Sequence, residues 1–169
     1  MEESNRRGRL GRTEFVGTPS ILVVEDERAL QSMIQLTLAG HDYRVEAVSS
    51  GPEALDRLSR PPNVDLLILD LMLGSMSGWD VLSELERSGR RSGLRVLVLT
   101  ALESEEHIHD GWRRGVDLYL TKPFDPTALI EGVREVLLSP PERTAERRDE
   151  EIRKSQLFNF IDRVFDDFD

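Results

Sequence analysis

Four short apolar stretches of this 169-residue chain each run into polar residues able to do chemistry. Ile21-Leu22-Val23-Val24 leads into Glu25-Asp26, and Leu66-Leu67-Ile68-Leu69 into Asp70. Leu94 to Leu99, interrupted by Arg95, leads into Thr100. Val116 to Leu120, interrupted by Asp117, leads into Thr121-Lys122-Pro123. Asp70 follows the middle apolar run, and a carboxylate there can attack phosphorus to form an acyl phosphate. Such an attack needs no base, but it brings two anions together. A divalent cation removes that obstacle, and magnesium selects oxygen ligands. Glu25 and Asp26 supply further carboxylates. Three clustered acids repel one another unless a cation binds or some take up protons. Three carboxylates, a hydroxyl and an ammonium suggest a magnesium and phosphate site.

For these groups to meet, the apolar runs must be parallel strands, whose carboxyl ends share one edge of a sheet. The strands are expected near 20–25, 43–48, 64–70, 94–99 and 116–120. Most are continuous apolar runs, as in a parallel sheet covered on both faces. The second, from Tyr43 to Val48, is mixed and reads as an edge strand. Helices fit the gaps. Residues 27–39 put Leu30, Ile34 and Leu38 on one face; 51–59 open with Gly-Pro, which suits a helix start. Residues 77–88 turn Val81, Leu82 and Leu85 inward, and 125–138 do so with Leu129, Val133, Val136 and Leu137. Residues 103–114 make a poor amphipath, with Ile108 and Trp112 as the large apolar groups. Strand–helix alternation repeated five times predicts an α/β fold, a five-stranded parallel sheet in a doubly wound three-layer sandwich.

In the segments ILVVEDE at 21–27, LLILDLMLGSMSG at 66–78, LVLTA at 97–101 and DLYLTKPF at 117–124, the chain resembles the bacterial response-regulator receiver domain. The resemblance runs from about Pro19 to Ser139. It implies a flavodoxin-like fold and a signalling switch rather than a turnover enzyme. Asp70 matches the phosphoacceptor, supplied by a histidine kinase or a phosphotransfer protein. Asp26 matches the direct metal carboxylate and Glu25 the one acting through metal-bound water, with the Met72 backbone carbonyl as the third protein ligand and Mg2+, or Mn2+, as the metal. Lys122 matches the lysine that pairs with the acceptor. Thr100 matches the switch hydroxyl and Tyr119 the aromatic that changes rotamer. Lys122-Pro123 matches a cis peptide bond. Met72 and Leu102 match the positions flanking the attacking water; neither apolar side chain can orient one, so slow self-dephosphorylation is expected. Gly74 departs from a family proline and Val116 from a family alanine; neither change removes an acid, a hydroxyl or a lysine.

Composition narrows the alternatives. The chain has no cysteine, which excludes disulfides and thiolate sites. Its formal net charge of −10 disfavours non-specific nucleic-acid binding. No apolar run approaches a membrane span, and the start Arg6-Arg7-Gly8-Arg9 lacks the apolar region of a secretory signal. A cytoplasmic protein is expected. An aspartate-nucleophile phosphatase would place two acids in an Asp-x-Asp arrangement at the first strand end, where this chain has Glu-Asp-Glu. A receiver-like scaffold acting without phosphate is the other alternative.

The remaining segments frame the domain. Residues 1–18 read as a disordered lead-in, 19–139 as the receiver, and 140–169 as a charged linker followed by an amphipathic helix. Pro140-Pro141 breaks the pattern, with Ser139 as a cap for a new helix. Residues 142–156 are almost all charged or polar and read as a spacer. Leu157, Ile161, Val164 and Phe168 share one helical seam, widened by Phe158 and Phe165. That seam would pack on a receiver face, in cis, in a homodimer or on a partner protein. No recognisable DNA-binding element accompanies the receiver, so output through protein contacts is expected.

Overall fold

The computed structural model describes residues 17–101 and 111–166. Five parallel strands form one sheet: β1 (Ser20–Val24), β2 (Arg44–Val48), β3 (Leu66–Asp70), β4 (Arg95–Thr100) and β5 (Leu118–Thr121), in the order β2-β1-β3-β4-β5. The named helices are α1 (Arg28–Ala39), α2 (Gly51–Leu58), α3 (Gly78–Arg87), α4 (Pro126–Leu138) and α5 (Pro141–Asp166). The expected strands and the helices flanking them are present, with boundaries shifted by one or two residues. Residues 111–113 are helical; the rest of the expected 103–114 helix lies mostly outside the described residues, as do Leu102 and most of the 1–18 lead-in.

Side-chain alternation along the strands sorts the core into two layers. Leu22, Val24, Leu67, Leu69, Val96 and Val98 face one side, where they meet Ala54 of α2 and Val81, Leu82 and Leu85 of α3. Ile21, Val23, Leu66, Ile68, Leu97 and Leu99 face the other and meet Ile34 and Leu38 of α1 and Leu129, Val133, Val136 and Leu137 of α4. Strands β1 and β3 are buried throughout, whereas β2 is only partly buried at the edge, as its mixed sequence predicts.

Local chemistry fixes the helix starts. Ser50 caps α2 by accepting from the Glu53 N–H. Ser77 and Asp80 form a reciprocal capping box at α3, and Asp125 accepts from the Ala128 N–H at α4. Gly78 is needed where α3 begins, because a Cβ there would lie 2.5 Å from the Asp70 carbonyl oxygen and 2.9 Å from Leu71 Cα. The α3 start is thereby packed against the backbone of the candidate acceptor.

The C-terminal segment departs from the sequence reading. The new helix expected after Pro140-Pro141 is present and runs unbroken over residues 141–166, 26 residues, with no boundary between the charged stretch and the apolar seam. Ser139 terminates α4, its N–H bonded to the Glu135 carbonyl, while Pro140 accepts the Thr144 N–H in the first turn of α5. The charged stretch is also docked on the domain. Arg148 pairs with Asp117 and donates from Nε to the Val116 carbonyl at 3.1 Å; Arg147 pairs with Glu135 and donates to the Asp117 carbonyl. Thr144 is buried. The guanidinium groups reach across from the helix to main-chain oxygens and carboxylates near the start of β5, so this stretch joins the domain by hydrogen bonds rather than apolar burial. Leu157 is exposed. Packing of the rest of the seam, Ile161, Val164 and Phe168 with Phe158 and Phe165, lies outside the described residues.

Candidate functional site

The strand order reverses beside β1, which lies between β2 and β3. Such a crossing point leaves a crevice at the carboxyl ends of the strands. β1 ends just before Glu25-Asp26, β3 ends on Asp70 and β4 on Thr100. Lys122 follows β5, and its N–H bonds the Thr100 carbonyl at 2.7 Å, which holds the loop against the end of β4. The Lys122-Pro123 peptide is cis, as the resemblance implied.

Lys122 Nζ lies 2.8 Å from Asp70 Oδ2 and 2.8 Å from Glu25 Oε2. The second Asp70 oxygen, Oδ1, accepts the Met72 N–H at 3.0 Å, and Glu25 Oε1 accepts the Glu27 N–H at 3.0 Å. Both carboxylates are therefore oriented by a donor at each oxygen. One carboxylate oxygen from each of Glu25, Asp26 and Asp70 fits within a 4.8 Å cluster. Glu25 and Asp70 are buried, whereas Asp26 is exposed. The cluster thus has two fixed acids beneath and one facing solvent.

The electrostatics favour a cation. Burial raises the Glu25 pKa; the bonds from Lys122 and the Glu27 N–H oppose this, but the negative charge of Asp70 adds to the rise. For Lys122, burial works against the charge, but its bonds to Asp70 and Glu25 and their negative charges outweigh it, holding the ammonium above its ordinary pKa. One lysine faces three carboxylates, leaving negative charge that a hard cation with oxygen preference fits.

Thr100 Oγ1 is buried and has no hydrogen-bond partner among the described residues. A buried hydroxyl without a partner costs free energy, so it marks a place where an acceptor or donor from outside would be stabilising. Tyr119 lies on β5 opposite Val98, next to the strand carrying Thr100. Its ring meets Trp112 edge to face at a centroid separation of 5.1 Å, and a Cβ on Gly111 would collide with its hydroxyl. The tyrosine is thus turned towards the 111–112 segment. Met72 is 68% exposed beside the acceptor.

The site residues named from the sequence with described positions are all on this edge or immediately beside it. The reading missed a second polar centre at the opposite end of β5. Asp117, 2% exposed, exchanges bonds with Val96 (Val96 N–H to Oδ2, 2.7 Å; Asp117 N–H to the Val96 carbonyl, 2.8 Å) and binds Arg148 through Oδ1. A charged residue inside an apolar run was the available signal.

The response regulator receiver domain model matches residues 21–134. The sensory transduction protein RegX3 of Mycobacterium tuberculosis is 38% identical over 118 residues, covering 70% of this chain and 50% of RegX3. The transcriptional regulatory protein PcoR of Escherichia coli is 38% identical over 117 residues, 69% of this chain and 50% of PcoR. The chain spans about half the length of the curated relatives it matches. Among solved structures, the chemotaxis response regulator CheY4 of Vibrio cholerae superposes with a TM-score of 0.66 at 28% identity, covering 71% of this chain and 99% of that one. The receiver domain of the Francisella response regulator 1452 gives 0.63 at 29% identity, covering 70% and 96%. With the acid cluster at the carboxyl edge of a 2-1-3-4-5 sheet, these matches establish that the chain belongs to the response regulator receiver domain family of two-component systems.

Proposed function

We propose that Asp70 accepts a phosphoryl group and that the chain is a phosphorylation-dependent switch, with a histidine kinase or a phosphotransfer protein as donor. The observation that carries this reading is the placement of Lys122 Nζ at 2.8 Å from both Asp70 and Glu25 within the three-carboxylate cluster. An Asp70 oxygen forms a bond to phosphorus as the donor's phosphorus–nitrogen bond breaks, the electron pair leaving on the imidazole. The Met72 N–H and Lys122 hold the carboxylate in place before transfer, and Lys122 then offsets the charge of the phosphoryl oxygens. Thr100 Oγ1, without a partner among the described residues, would bond one of those oxygens. Asp26, Glu25, Asp70 and the Met72 carbonyl would hold Mg2+, or Mn2+. The metal would supply charge neutralisation between the two anions. Glu25 would act through a water because its carboxylate is already committed to Lys122 and the Glu27 N–H.

Bonding of Thr100 to the phosphoryl group, with rearrangement of Tyr119 against Trp112, would carry the state to the β4–β5 face. Output would follow through protein contacts. The apolar seam of Leu157, Ile161, Val164 and Phe168, with Leu157 exposed, supports pairing with a second copy of the chain, and Phe165→Asp should weaken that pairing without affecting Asp70. The chemistry is tested by incubating the protein with a small phosphodonor and magnesium. One phosphoryl group per chain, lost in Asp70→Asn, is expected; a turnover phosphatase would instead release phosphate continuously, and a phosphate-independent scaffold would take up none.

A further inference from the structure

A second charged cleft lies at the other pole of the sheet, by the amino ends of β4 and β5. It has a volume of about 390 Å³, and Arg91, Arg95, Arg114 and Arg148 line it, with Asp117 the single acid of the lining among the described residues. This concentration of guanidinium groups occurs in a chain whose formal net charge is −10. Arg91 and Arg148 share one small patch: a Cβ on Gly115 would lie 3.3 Å from Arg91 Nη2 and 3.7 Å from Arg148 Nη1. Arg148 spends its contacts on Asp117 and the Val116 carbonyl. Arg91 donates to the carbonyls of Leu94 and Gly115, leaving its buried Nε without a partner among the described residues. Main-chain oxygens satisfy guanidinium donors, but they do not neutralise the charge.

The balance of charge around Arg91 is correspondingly poor. Burial lowers its pKa, Asp117 opposes this, Arg148 lowers it further, and Glu86 adds a smaller opposing effect. Arg147, beside Arg148 on α5, pairs with Glu135. Arg114 reaches Ser83 Oγ and lies over the Trp79 ring at 5.8 Å.

We propose that this cleft binds a diphosphate group, free or carried by a nucleotide. Guanidinium forks match phosphate oxygens in pairs, and several forks around one opening suit a multiply charged anion. The volume exceeds what a single orthophosphate would fill. Ser139, Pro141, Thr144 and Arg148 form one wall and the receiver forms the rest, so the bound anion would bridge α5 to the domain. It would thereby set how firmly α5 is docked, from a site remote from Asp70.

The test titrates pyrophosphate and ADP into the full chain by calorimetry, in magnesium-free buffer. Saturable one-to-one binding is expected, together with slower hydrogen exchange in residues 141–148. Loss of one charged contact should weaken it roughly tenfold in Arg91→Gln and in Arg114→Gln. Arg114 lies partly exposed at the rim, so its variant remains informative if Arg91→Gln fails to fold, as circular dichroism would show. Tighter binding of ADP would assign the nucleotide source and equal affinity the free anion. Failure of both ligands to saturate at millimolar concentration, or undiminished binding in folded Arg114→Gln, would overturn the proposal.

Discussion

Replacing Asp117 by alanine should destabilise the protein more than any exposed substitution, because three elements meet at this carboxylate. The variant strands the Val96 N–H, which now donates to Oδ2 at 2.7 Å in a buried position. A buried donor left unpaired costs about 1–3 kcal/mol. It also leaves Arg148 without its counter-ion. Breaking a fully buried pair costs about 3–5 kcal/mol, but Arg148 is 29% exposed, so water recovers part of that. The sum is about 3–5 kcal/mol, a large share of the roughly 5–15 kcal/mol available to a domain. At roughly 2–4 °C per kcal/mol for a chain of this size, the midpoint should fall by roughly 6–20 °C. Urea unfolding of the wild type, Asp117→Ala, Arg148→Ala and the double variant would measure it. Arg148→Ala alone should cost about 2–4 kcal/mol, because the Val96 bond survives but the Asp117 carboxylate, 3% exposed, is left buried without its counter-ion. The pair should be non-additive by about 1 kcal/mol or more, as groups in direct contact are. A loss below about 1 kcal/mol in Asp117→Ala, or strict additivity with Arg148→Ala, would refute the docking of α5 through this carboxylate.

Four further outcomes follow from the site and the sheet. Asp26→Ala should abolish labelling by a small phosphodonor while leaving thermal stability unchanged or higher, since it removes one of three repelling carboxylates; normal labelling would remove Asp26 from the metal set. Thr100→Val should be neutral or stabilising by about 1 kcal/mol, because it deletes a buried hydroxyl that has no partner, yet phosphorylated Thr100→Val should show a weaker hydrogen-exchange change over residues 116–125 than the wild type. Self-dephosphorylation should take minutes or longer at neutral pH with magnesium, since Met72 and Leu102 cannot position a water; a half-life of seconds would contradict this. For the Glu46–Arg57 pair, the Arg57 hydrogen bond holds the Glu46 pKa below its ordinary value, so the pair's contribution is present above the unfolded carboxylate range and is lost as pH falls through the folded value. Glu46→Gln should therefore cost about 0.5–1 kcal/mol at neutral pH for this partly exposed pair, and the gap to wild type should close on acidification.

The sheet and its functional edge were legible because burial on both faces forces continuous apolar runs, and a polar residue ending such a run is conspicuous. Ile21–Val24 with Glu25-Asp26 and Leu66–Leu69 with Asp70 carry that signal in consecutive residues. Resemblance to receivers added roles that the pattern alone leaves open, such as the switch function assigned to Thr100. The docking of α5 was not legible. Arg147 and Arg148 stand in a run of charges that resembles a solvated helix face, and their partner Asp117 lies some 30 residues away in the chain. Nothing in local periodicity distinguishes a guanidinium that reaches a buried carboxylate from one that faces water. The unbroken passage of α5 through residues 156–157 was hidden for a related reason: a change from charged to apolar composition suggests a boundary, while the helical backbone continues across it. Tyr119 carried a family role in the sequence, but its edge-to-face packing on Trp112 depends on the path of the 111–117 segment.

The most direct test is to locate the phosphoryl group. After incubation with phosphodonor and magnesium, borohydride reduces an acyl phosphate to an alcohol, and peptide mass spectrometry reads the altered residue. The account predicts homoserine at position 70, dependent on donor and absent in Asp70→Asn. Phosphoryl label with no reducible acyl phosphate, or homoserine at position 26 instead, would contradict it.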